Sequence, residues 1–210
     1  VPKTILCYGD SNTWGFVPGS QGDRFDWEVR WPGVLQSELG SKYRIVEEGL
    51  SGRTTVLDNP LEPYRSGREY LIPCLQSHRP LDLVVIFLGT NDLYDRYSLP
   101  ALDIARAAAS LGLITRGSGT GPGFGAPAVL LCSLPRLGDT STLADTYSGG
   151  HAKTADLPRC FRLAASEVDI PLVDLSETVV YDDADGVHLN PAGHRAVALA
   201  VAEAARAILG

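Results

Sequence analysis

Cysteine is scarce in this chain: Cys7, Cys74, Cys132 and Cys160 are the only four in 210 residues, and no two form a C-x-x-C pair. That spacing argues against a structural zinc site, and the length argues against a disulfide framework. Cys7 and Cys132 fall within apolar runs, where cysteine behaves as a small hydrophobic residue. Basic side chains are also in deficit, with 18 Lys and Arg against 25 Asp and Glu, for a formal net charge of −7. Such a balance disfavours nucleic acid or anionic lipid as the main partner. No uninterrupted apolar run approaches the ~20 residues of a membrane helix. A basic-then-apolar leader is missing from the given residues, which favours the cytoplasm, although a start at Val1 is compatible with a removed signal peptide. Histidine is rare too, at four residues, so the search for a catalytic base is short.

What remains is an ordinary folded composition, 44% hydrophobic and 20% charged. The length suits one domain over residues 1–210, burying very roughly 70% of the unfolded chain's surface. Strands are expected at Thr4–Tyr8, Tyr43–Glu47, Leu81–Leu88, Ala128–Ser133 and Pro171–Asp174. Helices are expected at Trp31–Leu39, Arg65–Ser77, Ala101–Thr115, Ala152–Val168 and Pro191–Leu209. Asn190 suits the N-cap of the last helix and Pro191 its first position. The alternation implies an α/β fold with a parallel sheet, its strand carboxyl ends all on one rim. The segments Leu50–Tyr64, Gly117–Pro127 and Pro135–Gly150 exceed the usual ~2–6 residues of such connections, so they are candidates to line a site; Leu50–Tyr64 and Pro135–Gly150 are also candidates for a homo-oligomer interface, and Gly117–Pro127 equally suits a solvent-filled insertion.

Four rim segments hold reactive groups. Gly9-Asp10-Ser11-Asn12-Thr13-Trp14-Gly15 follows the first strand, where open α/β sheets place their ligands. Read by itself, it is also an ordinary strand-to-helix turn. The others are Gly49–Thr55, Gly89-Thr90-Asn91-Asp92 and Asp182–Asn190. A serine needs an adjacent base to become a nucleophile. His78 ends a helix, His151 sits in a loop, and His194 has no acidic residue at a useful spacing. His188 follows Asp185 by three positions, so one turn can bring the carboxylate to Nδ1 and leave Nε2 for Ser11. Oxyanion donors are available from the Ser11 and Gly52 amides and the Asn91 side chain. Each fragment alone has a turn or capping explanation; their conjunction does not.

At this point the chain resembles the SGNH, or GDSL, hydrolases, through Gly9-Asp10-Ser11, Gly52, Gly89-Thr90-Asn91-Asp92 and Asp185-x-x-His188. Further likeness to the arylesterase and acyltransferase branch comes from Trp14, Arg30-Trp31, Glu47–Ser51, Arg53-Thr54-Thr55 and Leu88–Asp92. The resemblance spans essentially the whole chain. It implies a three-layer flavodoxin-like α/β/α sandwich with strand order 2-1-3-4-5. It also implies a serine esterase acting on short-chain or aryl esters, with Ser11, Asp185 and His188 as triad and Ser11, Gly52 and Asn91 as oxyanion hole. Some members of the branch pass the acyl group to alcohols or peroxide. The expected partners are a small ester and a water or alcohol acceptor, with no metal or organic cofactor. Asp10, Asn12 and Trp14 are expected at the substrate pocket, with Phe16, Trp27 and Trp31 extending an apolar wall. Gly52 and Asn12 stand where members of the branch differ. Two rivals are a metal-dependent hydrolase using Asp182, Asp183, Asp185 and His188, and a non-catalytic binding module on the same fold. Chelation separates the first from a serine mechanism, and binding without turnover would mark the second.

Overall fold

A computed structural model describes residues 1–210. Five parallel strands form its sheet: β1 (Lys3–Gly9), β2 (Tyr43–Gly49), β3 (Leu83–Phe87), β4 (Ala128–Cys132) and β5 (Leu172–Val173). Their order is β2-β1-β3-β4-β5, as the resemblance implied. The helices are α1 (Ser11–Trp14), α2 (Trp31–Leu39), α3 (Gly67–His78), α4 (Ala101–Arg116), α5 (Ala144–Tyr147), α6 (Gly150–Glu167) and α7 (Pro191–Leu209). α2 packs on α7, and α4 packs on both α3 and α6, so helices flank the sheet on either side. No helix is long and apolar enough to cross a membrane.

β3 is buried at every position because both of its faces are covered. The apolar run Leu81–Leu88 is longer than the strand it contains. The Leu81 amide turns to the Thr120 carbonyl at 2.9 Å, and Leu88 leads into the Gly89 turn. Burial thus extends past pairing at both ends. α7 begins as expected: the Asn190 side chain accepts from the Gly193 amide at 2.9 Å, with Pro191 in the first turn. The core is one continuous cluster of 48 buried residues running from Ile5 to Ala205. This rigid sheet presents the loops after β1, β2 and β3, and the segment before α7, along one rim.

Candidate active site

The turn after β1 is tight because the Asp10 side chain accepts from the Asn12 amide at 2.9 Å and so starts α1 at Ser11. Gly9 must be glycine here: a Cβ would lie 1.9 Å from Thr13 Oγ1 and 2.9 Å from the Phe87 carbonyl. As the first helical residue, Ser11 has an amide with no intrahelical acceptor. Its side chain meets His188, whose Nε2 lies 3.0 Å from Ser11 Oγ across 177 positions of sequence.

The segment before α7 folds around Asp185. Oδ1 accepts from the amides of Val187 and His188, both at 3.1 Å. Oδ2 lies 2.8 Å from His188 Nδ1 and accepts from the Gly19 amide at 2.9 Å. Burial alone would raise this carboxyl, but the His188 hydrogen bond and charge, with the Gly19 and Val187 amides, hold it at about 2. It is therefore ionised at neutral pH and can only accept. His188 Nδ1 must donate, so neutral His188 turns an Nε2 lone pair toward the Ser11 hydroxyl. Phe16 stacks on the imidazole with ring centroids 4.4 Å apart.

Two further donors share the cleft with Ser11. Gly52 has φ +76, a left-handed conformation open to glycine, and its amide has no acceptor within the protein. Asn91 gives one Nδ2 hydrogen to the Arg53 carbonyl at 2.9 Å and accepts from Tyr94 Oη at 2.9 Å. Its second amide hydrogen remains for a ligand. Beneath, burial pushes the carboxyls of Asp10 and Asp92 up to about 6, partly offset by the Asn12 amide and by Thr55. The cleft measures about 360 Å³ and is lined by Ser11, Gly52, Asn91 and His188 together with Phe16 and Tyr147 among others.

The pocket residues expected from the sequence are a correction. Asp10 and Asn12 are each 1% exposed and lie under the cleft rather than along it. Asn12 instead brackets His188: its Nδ2 donates to the Val187 carbonyl at 3.0 Å, and its Oδ1 accepts from the Leu189 amide at 2.9 Å. Trp14 is not among the residues lining the cleft; its ring lies 6.3 Å from that of Phe16 and carries the Arg24 guanidinium at 4.8 Å. Of the expected apolar wall, Phe16 lines the cleft, whereas Trp31 is wholly buried and donates to Thr13 Oγ1. Leu50–Tyr64 and Pro135–Gly150 both reach the cleft, through Ser51, Gly52 and Glu62 and through Leu143, Thr146 and Tyr147. Gly117–Pro127 does not, being tied to the opposite end of β3 through Leu81. Among the other histidines, His78 pairs with Glu48 at 2.6 Å and His194 is fully buried. The Gly19 amide and the Glu62, Arg65 and Arg96 side chains at the cleft had no signal in the motifs.

The sequence pattern of the GDSL-like lipase/acylhydrolase family matches residues 7–196. The chain belongs to that family. Membership makes it an acylhydrolase, and solved structures agree on the fold. The aryl esterase of Mycobacterium smegmatis is similar at 41% identity and a TM-score of 0.94, over 99% of this chain and 100% of that one. A carbohydrate acetylesterase from Sinorhizobium meliloti is 33% identical with a TM-score of 0.94, over 99% and 100%. A carbohydrate acetylesterase family member from the same organism is 36% identical with a TM-score of 0.92, over 99% of both. Among proteins of curated function, none matches the chain in sequence.

Proposed function

We propose that this acylhydrolase is a serine esterase that works through an acyl-enzyme on Ser11, cleaves short-chain or aryl esters, and passes the acyl group to alcohols or peroxide as well as water. The reading rests chiefly on one observation: a single imidazole stands 3.0 Å from Ser11 Oγ and 2.8 Å from a carboxylate that is ionised at neutral pH. In this mechanism Ser11 Oγ attacks the ester carbonyl while its proton passes to His188 Nε2, and Asp185 stabilises the imidazolium. The oxyanion is held by the Ser11 and Gly52 amides and by Asn91 Nδ2. His188 then protonates the departing alkoxide, and the acyl group stays on Ser11. The acceptor's proton goes to His188 as its oxygen attacks, and Ser11 Oγ recovers it when the product leaves.

An aryl esterase and acetylesterases among the similar structures support a small acyl group. The apolar surface of Phe16, Leu143, Tyr147 and Val187 beside Ser11 favours an organic alcohol over water at the acyl-enzyme. The metal-dependent rival is disfavoured by the placement of its carboxylates. Asp182 accepts from the Ala184 amide and from Asn190 Nδ2, and Asp185 is taken by three amides and the His188 ring. Mass spectrometry after incubation with phenyl acetate and added butanol tests the proposal. An acetylated peptide containing Ser11, with butyl acetate as product, is expected. Label on another residue, or turnover abolished by a chelator and restored by a divalent ion, would overturn it.

A further inference from the structure

We propose that Arg65 and Arg96 form a carboxylate-recognising subsite at the mouth of the Ser11 cleft, so that the preferred esters carry an anionic group. The inference rests on the esterase reading above and names its substrate class.

Both guanidinium groups line the cleft that contains Ser11 and His188. Arg65 lies directly against Gly52: a Cβ on that glycine would sit 3.2 Å from Arg65 Nε and 3.3 Å from Glu62 Oε2. A cation therefore borders the residue whose amide faces the developing oxyanion. Arg96 is held in place by Asn59 Oδ1 at 3.0 Å and by the Tyr94 ring, 5.0 Å from its guanidinium carbon. Tyr94 is itself tied to Asn91.

The donors are mostly uncommitted. The guanidinium of Arg65 makes one contact, a long 3.3 Å bond from Nε to Glu62 Oε2, and both of its terminal nitrogens have no partner. Arg96 uses only Nη1. Two planar forks with free N–H groups match the geometry of a carboxylate, which they can bind in bidentate fashion. Glu62 is the one carboxylate on the cleft wall, and its side chain is 59% exposed, so it can swing aside. Of the other nearby acids, Asp185 is committed to His188, Asp92 to Thr55 and Asp10 to the Asn12 amide, while at the surface Asp58 accepts from the Arg65 backbone amide and Asp95 from the Ser148 and Gly149 amides. Phe16 and Tyr147 line the same cleft and supply the apolar surface for an aryl or alkyl body.

Matched esters test the subsite on the whole enzyme. With the charge on the leaving group, 4-acetoxybenzoate is compared with 4-acetoxybenzamide. With the charge on the acyl group, 4-nitrophenyl hydrogen succinate is compared with 4-nitrophenyl pentanoate. After division by hydroxide-catalysed rates, at least one pair should show a kcat/KM preference for the anion of about tenfold at low salt. The responding pair tells which side of the ester carries the charge. Raising salt from about 0.01 M to about 1 M shrinks the Debye length from ~30 Å to ~3 Å and should erase most of that preference. Arg65→Gln and Arg96→Gln should each lower it several-fold, and Glu62→Gln should raise it, a reversal of sign that mere disturbance of the loop would not give. If neither pair favours the anion, or the preference is indifferent to salt and to all three substitutions, the subsite does not exist. Turnover of the neutral esters through acylated Ser11 keeps that failure separate from failure of the esterase reading.

Discussion

Several clefts open on this molecule, and of the two that flank the loop after β2 the larger is not the one that holds Ser11 and His188. The larger, about 430 Å³, lies between β2 and α3 and is lined by Glu48, Arg53, Glu69 and Tyr70 among others. The smaller, about 360 Å³, holds Ser11 and His188. In the larger cleft the two central charged groups are mostly committed, although Arg53 Nε is buried without a partner. Glu48 pairs with His78 at 2.6 Å. Arg53 donates to the Gly9 and Glu48 carbonyls and sits between the rings of Tyr8 and Tyr70. In the smaller cleft, the Gly52 amide, one Asn91 hydrogen and the free nitrogens of Arg65 and Arg96 face open space. Volume measures room; convergent unsatisfied donors mark where a ligand supplies the missing partner.

The strongest way to break this contrast is to truncate one side chain in each cleft. Ser11→Ala should cut kcat for phenyl acetate by about 10⁴-fold or more, with circular dichroism unchanged. Glu69→Ala, in the larger cleft, should stay within about twofold of wild type. Comparable losses from the two would mean that the chemistry has been placed in the wrong opening.

A smaller effect probes the bracket around His188. Asn12→Asp replaces the Nδ2 donor with an oxygen facing the Val187 carbonyl, which should displace the imidazole from Ser11. A loss of about 10- to 100-fold in kcat with little change in KM is expected, because misplacement by about 1 Å has that cost. A change confined to KM would return Asn12 to the substrate pocket.

The smallest effect asks whether any unpartnered polar atom marks a site. His194 Nε2 is buried without a partner, while Nδ1 accepts from the Trp31 amide at 3.2 Å. Burial, reinforced by the Arg30 and His188 charges, pushes its pKa down to about 3. Between pH 6.5 and 3 the unfolded chain binds this proton and the folded chain does not, so stability falls as pH falls through that window. Its slope is at most ~1.4 kcal/mol per pH unit. Asp10 and Asp92, raised to about 6, act with opposite sign between about pH 4 and 6. The difference between wild type and His194→Gln therefore isolates the histidine. Parallel denaturation midpoints for the two proteins across pH 7 to 4 would contradict the sealed, neutral ring.

Much of this was legible in the residues. Leu83–Phe87 announced a strand covered on both faces, and Asn190-Pro191 announced the start of α7. Ser11, Asp185 and His188 stood out because reactive side chains sat at strand ends with a spacing one turn can close. The direction of side chains within the single turn of α1 was not legible. Asn12 and Trp14 both lie within that turn, and where each side chain goes depends on tertiary contacts with Val187, Leu189 and Arg24. α5 was missed because Pro135–Gly150 shows no helical periodicity over so short a length. Leu81 and Leu88 overran their strand because an apolar side chain reports burial, not ladder pairing.

Asn12 grasps Val187 and Leu189 from the far end of the chain. On the proposed mechanism the nucleophile and the base thus come from the two ends of the chain, held in register by Asn12, while Gly52 and Asn91 from its middle supply oxyanion donors. On that mechanism a protein severed at the exposed Pro122–Ala126 turn would carry Ser11 and His188 on separate fragments, each expected to be inert. Turnover would return only on reassembly, making this enzyme a natural split reporter of its own reconstitution.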